Sequence, residues 1–342
     1  MSVQVLTPGW STSIQDLGRR GHTAIGVGTA GAMDGVALRL ANALVGNGDE
    51  AAGLEITLRG PRLHFDADAI VALTGAAIDA VCAGGNLPMW RPVLVHGGAE
   101  IVLGAMPRGA RSYLAFAGGI EAASLLGSRS TDINAALGPF AGRALQAGDV
   151  LQLGAPSEPQ DTLMRGLASR QANDGEADAT FSAPNWSLDP APWFEDRTTH
   201  TIGLIRGVHF DALEGRSQKA LATAEFRVGN ESNRVGYRLG GPTLKLRSSR
   251  EMISEGTVPG TMQLPPSGEP IVLMAEAPTT GGYPRIGHVA SVDLPRLAQC
   301  RPGDRLRFAE ISLGDAQTRY LEREQRLAAL VRNIGERLTL KL

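Results

Sequence analysis

Short apolar segments separated by turn residues recur along the chain from its first residues to Phe308. Representative segments are Ala69–Leu73, Ile101–Leu103, Tyr113–Phe116, Val150–Leu153 and Ile271–Met274. Their length suits buried strands, and their spacing suits a barrel or a sandwich. Polar and apolar residues alternate at Arg62–Phe65 and at Arg305–Phe308, and each segment follows a Gly/Pro turn. The pattern therefore predicts a mainly β chain.

Two stretches carry a helical pattern instead. From Asp34 to Val45, apolar residues recur at helical spacing, Asp34 stands as an N-cap, and Gly46 provides a stop. From Asp315 to Leu338, one apolar stripe runs along an otherwise charged segment. This second helix is predicted to cover the end of a barrel or to make a contact between subunits.

The stretch from Ala155 to Thr199 differs from both flanks because it is rich in Pro, Ser, Asp, Asn and Gln. We interpret Ala155 to Asp178 as a surface or mobile loop, and we place a domain boundary near Asp196. The predicted organisation is an N-terminal domain over 1–195 with a polar excursion near 155–195, a C-terminal domain over 196–312 and a C-terminal helix over 313–342.

Composition and charge narrow the function classes. Glycine accounts for 43 of 342 residues, well above the usual level of about 7%, which fits many tight turns. The formal net charge is −2 and no block of like charges occurs, which argues against a nucleic-acid or anionic-membrane surface. No transmembrane run and no signal peptide is recognisable, so we expect a cytoplasmic protein.

The common catalytic and metal-binding motifs are missing from the sequence. Two separated cysteines and six scattered histidines give no metal-ligand spacing, so no metal site is predicted. Gly26 to Gly31 fits GxGxxG, but no βαβ series follows, so we interpret it as a tight loop. No P-loop, GxSxG or SxxK motif occurs, and no lysine lies beside a methionine as in a biotin attachment site.

Two turns contain more special residues than a simple hairpin needs. Gly127 to Asp132 is either a capped helix start or an anion-binding nest of backbone N–H groups with Arg129. Pro278 to Pro284 contains two glycines, which allow a ligand to approach the backbone closely. Glu255 and Glu276 either line the same cleft or belong to a solvated rim.

Ordered motifs across the chain carry a resemblance to a known family. They are Thr7–Gly9, Ser13–Arg19, Gly31–Asp34, Ala41–Asn47, Leu54–Thr57, Gly60–Pro61, Thr74–Ala76, Gly127–Asp132, Asn233–Leu239, Met262–Pro265 and Thr279–Pro284. With them the chain resembles the group of the 5-oxoprolinase C subunit, also described as biotin-dependent carboxyltransferase-like. That group includes the antagonist of a sporulation-kinase inhibitor and the carboxyltransferase part of urea carboxylase.

This sequence also departs from the family pattern. Asn233 stands where the family usually has Asp, and Glu276 replaces Asp. Pro278 stands where Gln is common, and Ala30 replaces Ser. The change at 233 removes a charge, whereas the change at 276 keeps a charge and moves it by one methylene.

The resemblance implies two cyclophilin-like β-barrel domains around a cleft, followed by the C-terminal helix. It implies a hetero-oligomer with homologues of the A and B subunits of 5-oxoprolinase. The implied activity is that of a hydrolase that converts 5-oxoproline, ATP and water into L-glutamate, ADP and phosphate. The implied cofactor is ATP with Mg²⁺, held by this chain or by one of its partners.

The resemblance also implies a set of site residues. Arginines would stabilise the charge of a transferred phosphoryl group, and acids would orient substrate or magnesium. The catalytic candidates are Asp34, Glu55, Arg129, Arg234, Glu255 and Glu276. The candidates for binding substrate or phosphate are Asn42, Thr74, Gly75, Ser128, Ser130, Thr131, Arg238, Gln263, Thr279, Thr280, Gly281, Gly282 and Tyr283.

Two other functions stay open at the level of sequence. The first is a biotin-dependent carboxyltransferase that acts on urea or a related amide or guanidine, with carboxybiotin supplied by another protein. The second is a non-catalytic regulatory protein that antagonises a kinase-inhibitor homologue of the B subunit. ATP-dependent release of glutamate from 5-oxoproline would distinguish the 5-oxoprolinase function from both of these alternatives.

Overall fold

The computed structural model describes residues 1–173, 179–248 and 252–339, and this part of the chain is mainly β. The strands are β1 (Ser2–Thr7), β2 (Ser11–Gln15), β3 (Gly53–Thr57), β4 (Arg62–Phe65), β5 (Ala69–Gly75), β6 (Ala80–Cys82), β7 (Gly85–Asn86), β8 (Pro92–Val95), β9 (Glu100–Leu103), β10 (Arg111–Phe116), β11 (Ile120–Glu121), β12 (Val150–Leu153), β13 (Phe181–Ser182), β14 (Thr199–Arg206), β15 (Phe226–Val228), β16 (Gly236–Gly240), β17 (Glu255–Gly256), β18 (Thr261–Gln263), β19 (Ile271–Leu273), β20 (Thr280–Gly281), β21 (Arg285–Val289) and β22 (Arg305–Glu310). The predicted fold class is confirmed.

The helices separate these strands into groups. They are α1 (Gly35–Leu44), α2 (Pro139–Gly142), α3 (Glu158–Asn173), α4 (Gly215–Thr223), α5 (Leu294–Ala298) and α6 (Leu313–Thr339), with 3-10 turns at Thr23–Ile25 and Phe210–Ala212. Of these, α2 is a single irregular turn in which Phe140 and Ala141 have left-handed φ angles of 52° and 56°. Among the described residues, no helix combines the length and the apolar character that a membrane span requires.

The first predicted helix, Asp34 to Val45, is confirmed as α1. The Asp34 carboxylate accepts a hydrogen bond from the Ala37 N–H at 3.0 Å, as an N-cap should. Gly46 follows the helix with a φ of +75°, a left-handed conformation that glycine adopts without strain.

The predicted C-terminal helix is confirmed as α6. Its first turn is capped reciprocally by Ser312 and Asp315. The Asp315 N–H donates to the Ser312 Oγ at 3.0 Å, and the Ser312 hydroxyl donates to the Asp315 carboxylate at 2.7 Å. This capping pair explains why the helix begins slightly before the apolar stripe that predicted it.

The prediction of a loop from Ala155 to Asp178 was wrong over most of its length, because Glu158–Asn173 forms helix α3. Residues 174–178 lie outside the described part of the chain. Leu163 and Leu167, one helical turn apart, are buried, and α3 packs against β5, β8 and β13. Two leucines in a polar segment make too weak a stripe to be recognised, so packing against the sheet decides the conformation.

The chain divides into two compact units, and each has its own hydrophobic core. Unit 1 consists of Met1–Gly18, Asp34–Asp196 and the chain from Leu327 onwards. Unit 2 consists of Arg19–Met33 and Arg197–Arg326. The segment of residues 19–33 therefore belongs to the unit that is formed mainly by the second half of the chain.

Unit 1 contains two antiparallel sheets. The seven-stranded sheet has the order β11-β12-β1-β4-β9-β6-β7, and the six-stranded sheet has the order β13-β8-β5-β10-β3-β2. Leu63 and Phe65 from the first sheet share one core with Val71, Leu73 and Leu114 from the second. Helix α1 packs on β5 and β10 of the six-stranded sheet.

Unit 2 is built on a closed seven-stranded barrel with the order β14-β21-β18-β19-β16-β15-β22. Strands β14 and β22 run parallel, from Thr199 opposite Arg305 to Leu204 opposite Glu310. The other pairs in the barrel are antiparallel. A separate two-stranded sheet pairs β17, which comes just before β18 in the chain, with β20, which comes just before β21. We call this pair the ribbon.

Candidate functional site

The ribbon of unit 2 brings together several of the predicted site residues. Glu255 lies opposite Gly281, and Gly256 lies opposite Thr280. Arg285, the first residue of β21, pairs with the Glu255 carboxylate through Nη2. Its Nη1 donates to the Gly256 carbonyl at 3.2 Å. Arg285 therefore ties the ribbon to the barrel.

A β-bulge places Gln263 of β18 opposite Arg285. Met262 pairs with Gly287, but the next residue, Gln263, pairs with Arg285. Ile286 is thus an extra residue on β21. Met262 and Ile286 belong to the core, so Gln263 and Arg285 emerge on the other face of the sheet. Bulges of this kind commonly reorient side chains beside functional sites.

Two buried hydrogen-bond donors at this position lack an acceptor among the described residues: Nε2 of Gln263 and Nε of Arg285. Gln263 is only 4% exposed. Directly opposed residues of an antiparallel pair have Cβ atoms about 5 Å apart, so the two side chains are neighbours. Since native proteins satisfy the great majority of their buried donors, the pair marks a place where an outside acceptor can bind.

Gly281 allows the ribbon to lie close to the Gln263 amide. A Cβ at this position would lie 2.4 Å from Nε2 of Gln263 and 3.4 Å from Cγ2 of Thr257. The Thr257 N–H donates to the Thr279 carbonyl at 3.0 Å, and its hydroxyl donates to the Pro278 carbonyl. Only glycine fits at position 281 without displacing these neighbours.

The structure assembles four predicted residues at the ribbon: Glu255, Gln263, Thr280 and Gly281. The adjoining candidates lie in the same turn, where the Thr279 carbonyl bonds to the opposite strand and Gly282 and Tyr283 are exposed. Arg285 was missed by the sequence interpretation. Its position just after the glycine-containing turn, at the start of a strand, is the signal that could have revealed it.

Two catalytic candidates of unit 2, Arg234 and Glu276, bind each other. Nε of Arg234 donates to Oε1 of Glu276 at 2.5 Å, and Nη2 donates to the Gly31 carbonyl at 2.7 Å. The Glu276 N–H donates to the Arg234 carbonyl at 2.9 Å. Both side chains are buried. Together with Met33, which packs into the core, this pair anchors residues 19–33 within unit 2.

The neighbouring candidate Arg238 is exposed and pairs with Glu231 at 3.3 Å. Asn233, where the family usually has Asp, shapes the turn into β16. Its side-chain oxygen accepts hydrogen bonds from the N–H of Val235 at 2.8 Å and of Gly236 at 3.3 Å. Asparagine performs this turn role without a charge.

A further group of candidates in unit 1 is buried around Tyr113. The Tyr113 hydroxyl donates to Oε2 of Glu55 at 2.7 Å and accepts from the Asp34 N–H at 2.7 Å. Nε of Arg111 lies 3.6 Å from Oε1 of Glu55. Burial, followed by the charges of Glu55 and Asp34, raises the pKa of Tyr113 well above its ordinary value. The hydroxyl therefore stays protonated and serves as a donor.

The remaining binding candidates near α1 also have partners within unit 1. The Thr74 hydroxyl donates to the Ala37 carbonyl at 2.7 Å. The Asn42 amide donates to the Ala51 carbonyl at 2.8 Å. Gly75 has a φ of +84°, and a Cβ there would lie 2.6 Å from a carbonyl oxygen of the adjacent strand. These residues hold α1 and its sheet together.

The turn from Gly127 to Asp132 binds an anion that the chain itself supplies. Oδ1 of Asp16 accepts hydrogen bonds from the hydroxyls of Ser128 at 2.7 Å and Ser130 at 2.6 Å. Oδ2 of Asp16 accepts from the Arg129 N–H at 2.5 Å. The donors predicted to form an anion nest are therefore used by Asp16.

The helix start considered for the same turn is not formed. Residues 132–137 make a turn closed by bridge pairing of Asp132 with Leu137, and Oδ1 of Asp132 accepts from the Ala135 N–H at 3.0 Å. The buried Thr131 donates its N–H to the Ile14 carbonyl at 2.9 Å. Asp132 thus caps a turn rather than a helix.

Unit 2 also has an open groove of about 480 Å³ beside the first half of α6. Its lining residues are Ile205, His288, Ser291, Leu313, Ala316, Gln317, Tyr320 and Leu321. Burial lowers the pKa of His288 below its ordinary value, so its imidazole is neutral near pH 7. Within the described ranges, no group of three or more His, Cys, Asp or Glu side chains is arranged to hold a metal ion.

Comparison with known proteins adds a family relationship to this geometry. A family model described as "Carboxyltransferase domain, subdomain A and B" matches residues 25–310. The chain is 35% identical over 332 residues to the C subunit of 5-oxoprolinase from Escherichia coli (strain K12), covering 94% of this chain and 96% of that protein. It is 33% identical over 325 residues to the protein of the same name from Haemophilus influenzae, covering 95% and 96%.

The fold has a solved counterpart in a larger protein. The crystal structure of the Kluyveromyces lactis urea carboxylase matches with a TM-score of 0.83 and 29% sequence identity. The match covers 100% of this chain and 30% of that one. This chain is therefore similar to somewhat less than a third of that longer chain.

Proposed function

The chain belongs to the family of the carboxyltransferase domain, subdomains A and B, and from this premise we propose that it is the C subunit of an ATP-dependent 5-oxoprolinase. The observation that carries the proposal is the similarity to two proteins of that name along 96% of their length. In the proposed reaction, 5-oxoproline is opened to L-glutamate with hydrolysis of ATP. Homologues of the A and B subunits of 5-oxoprolinase are the proposed partners.

Three of the residues predicted to act on ATP with Mg²⁺ already have partners within the chain. Asp34 and Glu55 are buried and engaged with Tyr113 and α1, and Arg234 is engaged with Glu276 and Gly31. Within the described part of the chain, no three or more His, Cys, Asp or Glu side chains are grouped to hold a metal ion. We therefore assign ATP and Mg²⁺ to a partner of this chain, and we assign substrate binding at the ribbon to the chain itself.

The ribbon supplies what binding of a small amide or acid requires. Gln263 and Arg285 offer buried N–H donors, and Glu255 fixes the guanidinium that carries one of them. Holding a substrate in one orientation is itself a large contribution to catalysis, because it replaces a chance encounter by a fixed geometry. This chain thus acts by positioning substrate for chemistry that the complex completes.

A second candidate function is carboxyl transfer to urea or to a related amide or guanidine, with carboxybiotin supplied by another protein. The structural match to the Kluyveromyces lactis urea carboxylase favours it. The ribbon donors suit this reaction as well, because urea and carboxybiotin both present carbonyl oxygens as acceptors.

The test is reconstitution of the complex. The chain is co-expressed with the homologues of the A and B subunits from the same genome, and glutamate released from 5-oxoproline is measured with and without ATP. We expect ATP-dependent release that disappears when this chain is omitted. Glutamate release that does not require this chain would contradict the proposal.

The same preparation separates the other functions. Consumption of carboxybiotin in the presence of urea, without turnover of 5-oxoproline, would favour carboxyl transfer. A stable complex with the homologue of the B subunit that turns over neither substrate would favour a regulatory role. Arg227→Gln, at an exposed position of β15, provides a control variant with an unperturbed ribbon.

A further inference from the structure

We propose that Nε2 of Gln263 and Nε of Arg285 form a subsite for the carboxylate of a small substrate. Neither atom has an acceptor among the described residues, and the two residues oppose each other across β18 and β21. An unpaired buried donor is costly, so two of them side by side indicate a missing partner. A bound oxygen acceptor supplies that partner.

The surrounding contacts determine which Arg285 donor is left for a ligand. Nη2 is engaged by Glu255, and Nη1 is engaged by the Gly256 carbonyl. The Nε–H remains, and strand pairing across the bulge at Ile286 places Arg285 opposite Gln263. The two donors are therefore oriented by the fold before any ligand arrives.

The local charge favours a carboxylate over a phosphate. Glu255 neutralises the Arg285 guanidinium, so the subsite has strong donors and little net positive charge. A phosphate with two negative charges would lie near the Glu255 carboxylate without full compensation. A carboxylate brings one charge, and its two oxygens match the two donors.

The ribbon lies next to the subsite. Both donor atoms are buried, and the ribbon residues Glu255, Gly256 and Gly281 lie against the two side chains that carry them. The ribbon consists of two strands of two residues each, and it is tied to β21 by the contacts of Arg285 with Glu255 and Gly256. Gly281 lies so close to the Gln263 amide that a Cβ there would be 2.4 Å from Nε2.

The choice of 5-oxoproline as the probe rests on the proposed function. The observation of two unpaired buried donors is independent of that function. The lactam and the carboxylate of this compound can be tested separately, because 2-pyrrolidinone has the same lactam ring without the carboxylate. Inorganic phosphate tests the competing anion. Binding of each probe is measured by calorimetry, with the full chain alone and in the complex with the A and B homologues.

Two variants remove one donor each. Gln263→Leu removes the amide, and Arg285→Lys keeps a positive charge beside Glu255 but lacks the Nε–H. We expect each to weaken 5-oxoproline binding by about tenfold or more, as for the loss of one hydrogen bond to a charged group. Binding of 2-pyrrolidinone should be unchanged. The exposed Arg227 provides the matched control Arg227→Lys, which should bind 5-oxoproline like the wild type.

A third variant and the melting temperature distinguish a ligand role from a structural role. Gly281→Ala should weaken 5-oxoproline binding because its Cβ would crowd the Gln263 amide, whereas Gly215→Ala, whose Cβ meets no atom within 4 Å, should not. Gln263→Leu should preserve or raise the Tm of the free chain, since it replaces an unpaired buried amide by an apolar group of similar size. A lower Tm with unchanged 5-oxoproline binding would overturn the assignment.

Other results would also overturn it. They are wild-type affinity of both donor variants for 5-oxoproline, equal loss of 2-pyrrolidinone binding, tighter binding of phosphate than of 5-oxoproline, and no binding of 5-oxoproline in either form. Weakened 5-oxoproline binding in the variants, combined with a complex that releases no glutamate, would support the subsite and reject the proposed function.

Discussion

Arg234 and Glu276 form an ion pair inside unit 2, with Nε of the arginine 2.5 Å from Oε1 of the glutamate. The sequence predicts each of them as a separate catalytic group. In the structure each compensates the charge of the other, and Arg234 also holds the Gly31 carbonyl. Removing one partner of a buried pair leaves an uncompensated charge, which is far more costly than removing both.

Arg234→Ala is therefore expected to lower the free energy of unfolding by about 3–5 kcal/mol, measured by urea denaturation. The double variant Arg234→Met with Glu276→Leu should recover most of that loss. Arg227→Ala, at an exposed position, serves as the control and should change stability by less than about 0.5 kcal/mol. An Arg234→Ala protein that is as stable as the wild type but inactive would instead place this arginine in the reaction.

Tyr113→Phe should destabilise unit 1 by about 2–4 kcal/mol, because it removes the buried hydroxyl that bonds both to the Glu55 carboxylate and to the Asp34 N–H. The matched control is Tyr320→Phe, since Tyr320 is 41% exposed and its ring contact with Arg323 survives the change. Thermal unfolding of the two variants gives the comparison. Equal effects would show that the Tyr113 network contributes little to stability.

Asp16→Ala should create the anion site that Asp16 now fills. The variant leaves the hydroxyls of Ser128 and Ser130 and the N–H of Arg129 without their acceptor, so it should be less stable than the wild type. Inorganic phosphate should then raise the Tm of the variant more than that of the wild type, because it binds only the folded nest. A Tm response to phosphate that is the same in both proteins would refute this explanation of the turn.

His288 should make stability depend on pH. Burial lowers its folded pKa below the ordinary value of 6.5, so the unfolded chain takes up the proton first as the pH falls. The contribution of the neutral imidazole is present above the unfolded pKa and is lost as the pH drops below it. Between about pH 7.5 and 5.5, His288→Asn should lose less stability than the wild type. A steeper loss in the variant would show that the sign is wrong.

Local patterns were sufficient for much of the fold. The alternation at Arg305–Phe308 identifies β22, and the apolar run at Ala69–Leu73 identifies β5. Both are recognisable because the burial of side chains in a strand leaves a pattern of apolar and polar residues among adjacent positions of the sequence. Asp34 and Gly46 identify the ends of α1 for the same local reason. Helix α3 escaped because its stability comes from the sheet beneath it and not from its own pattern.

The candidate site shows the same division. Glycines and threonines at 279–282 indicate a special turn, and the nearby acids indicate chemistry, so the ribbon was predicted as a binding region. The importance of Arg285 could not be predicted, because it depends on one extra residue, Ile286, in a strand pair. The engagement of Asp16 with Ser128 joins positions more than a hundred residues apart, and no local pattern contains such a contact.

The amino-acid sequence by itself determined that this protein is mainly β, where several of its strands and two of its helices lie, and which family it belongs to. Only the tertiary structure decided which polar residues neutralise one another, as Arg234 and Glu276 do, and which donors remain unpaired, as those of Gln263 and Arg285 do. The physical reason is that periodic burial is a property of adjacent residues, whereas hydrogen-bond pairing depends on strand register and on contacts between distant segments.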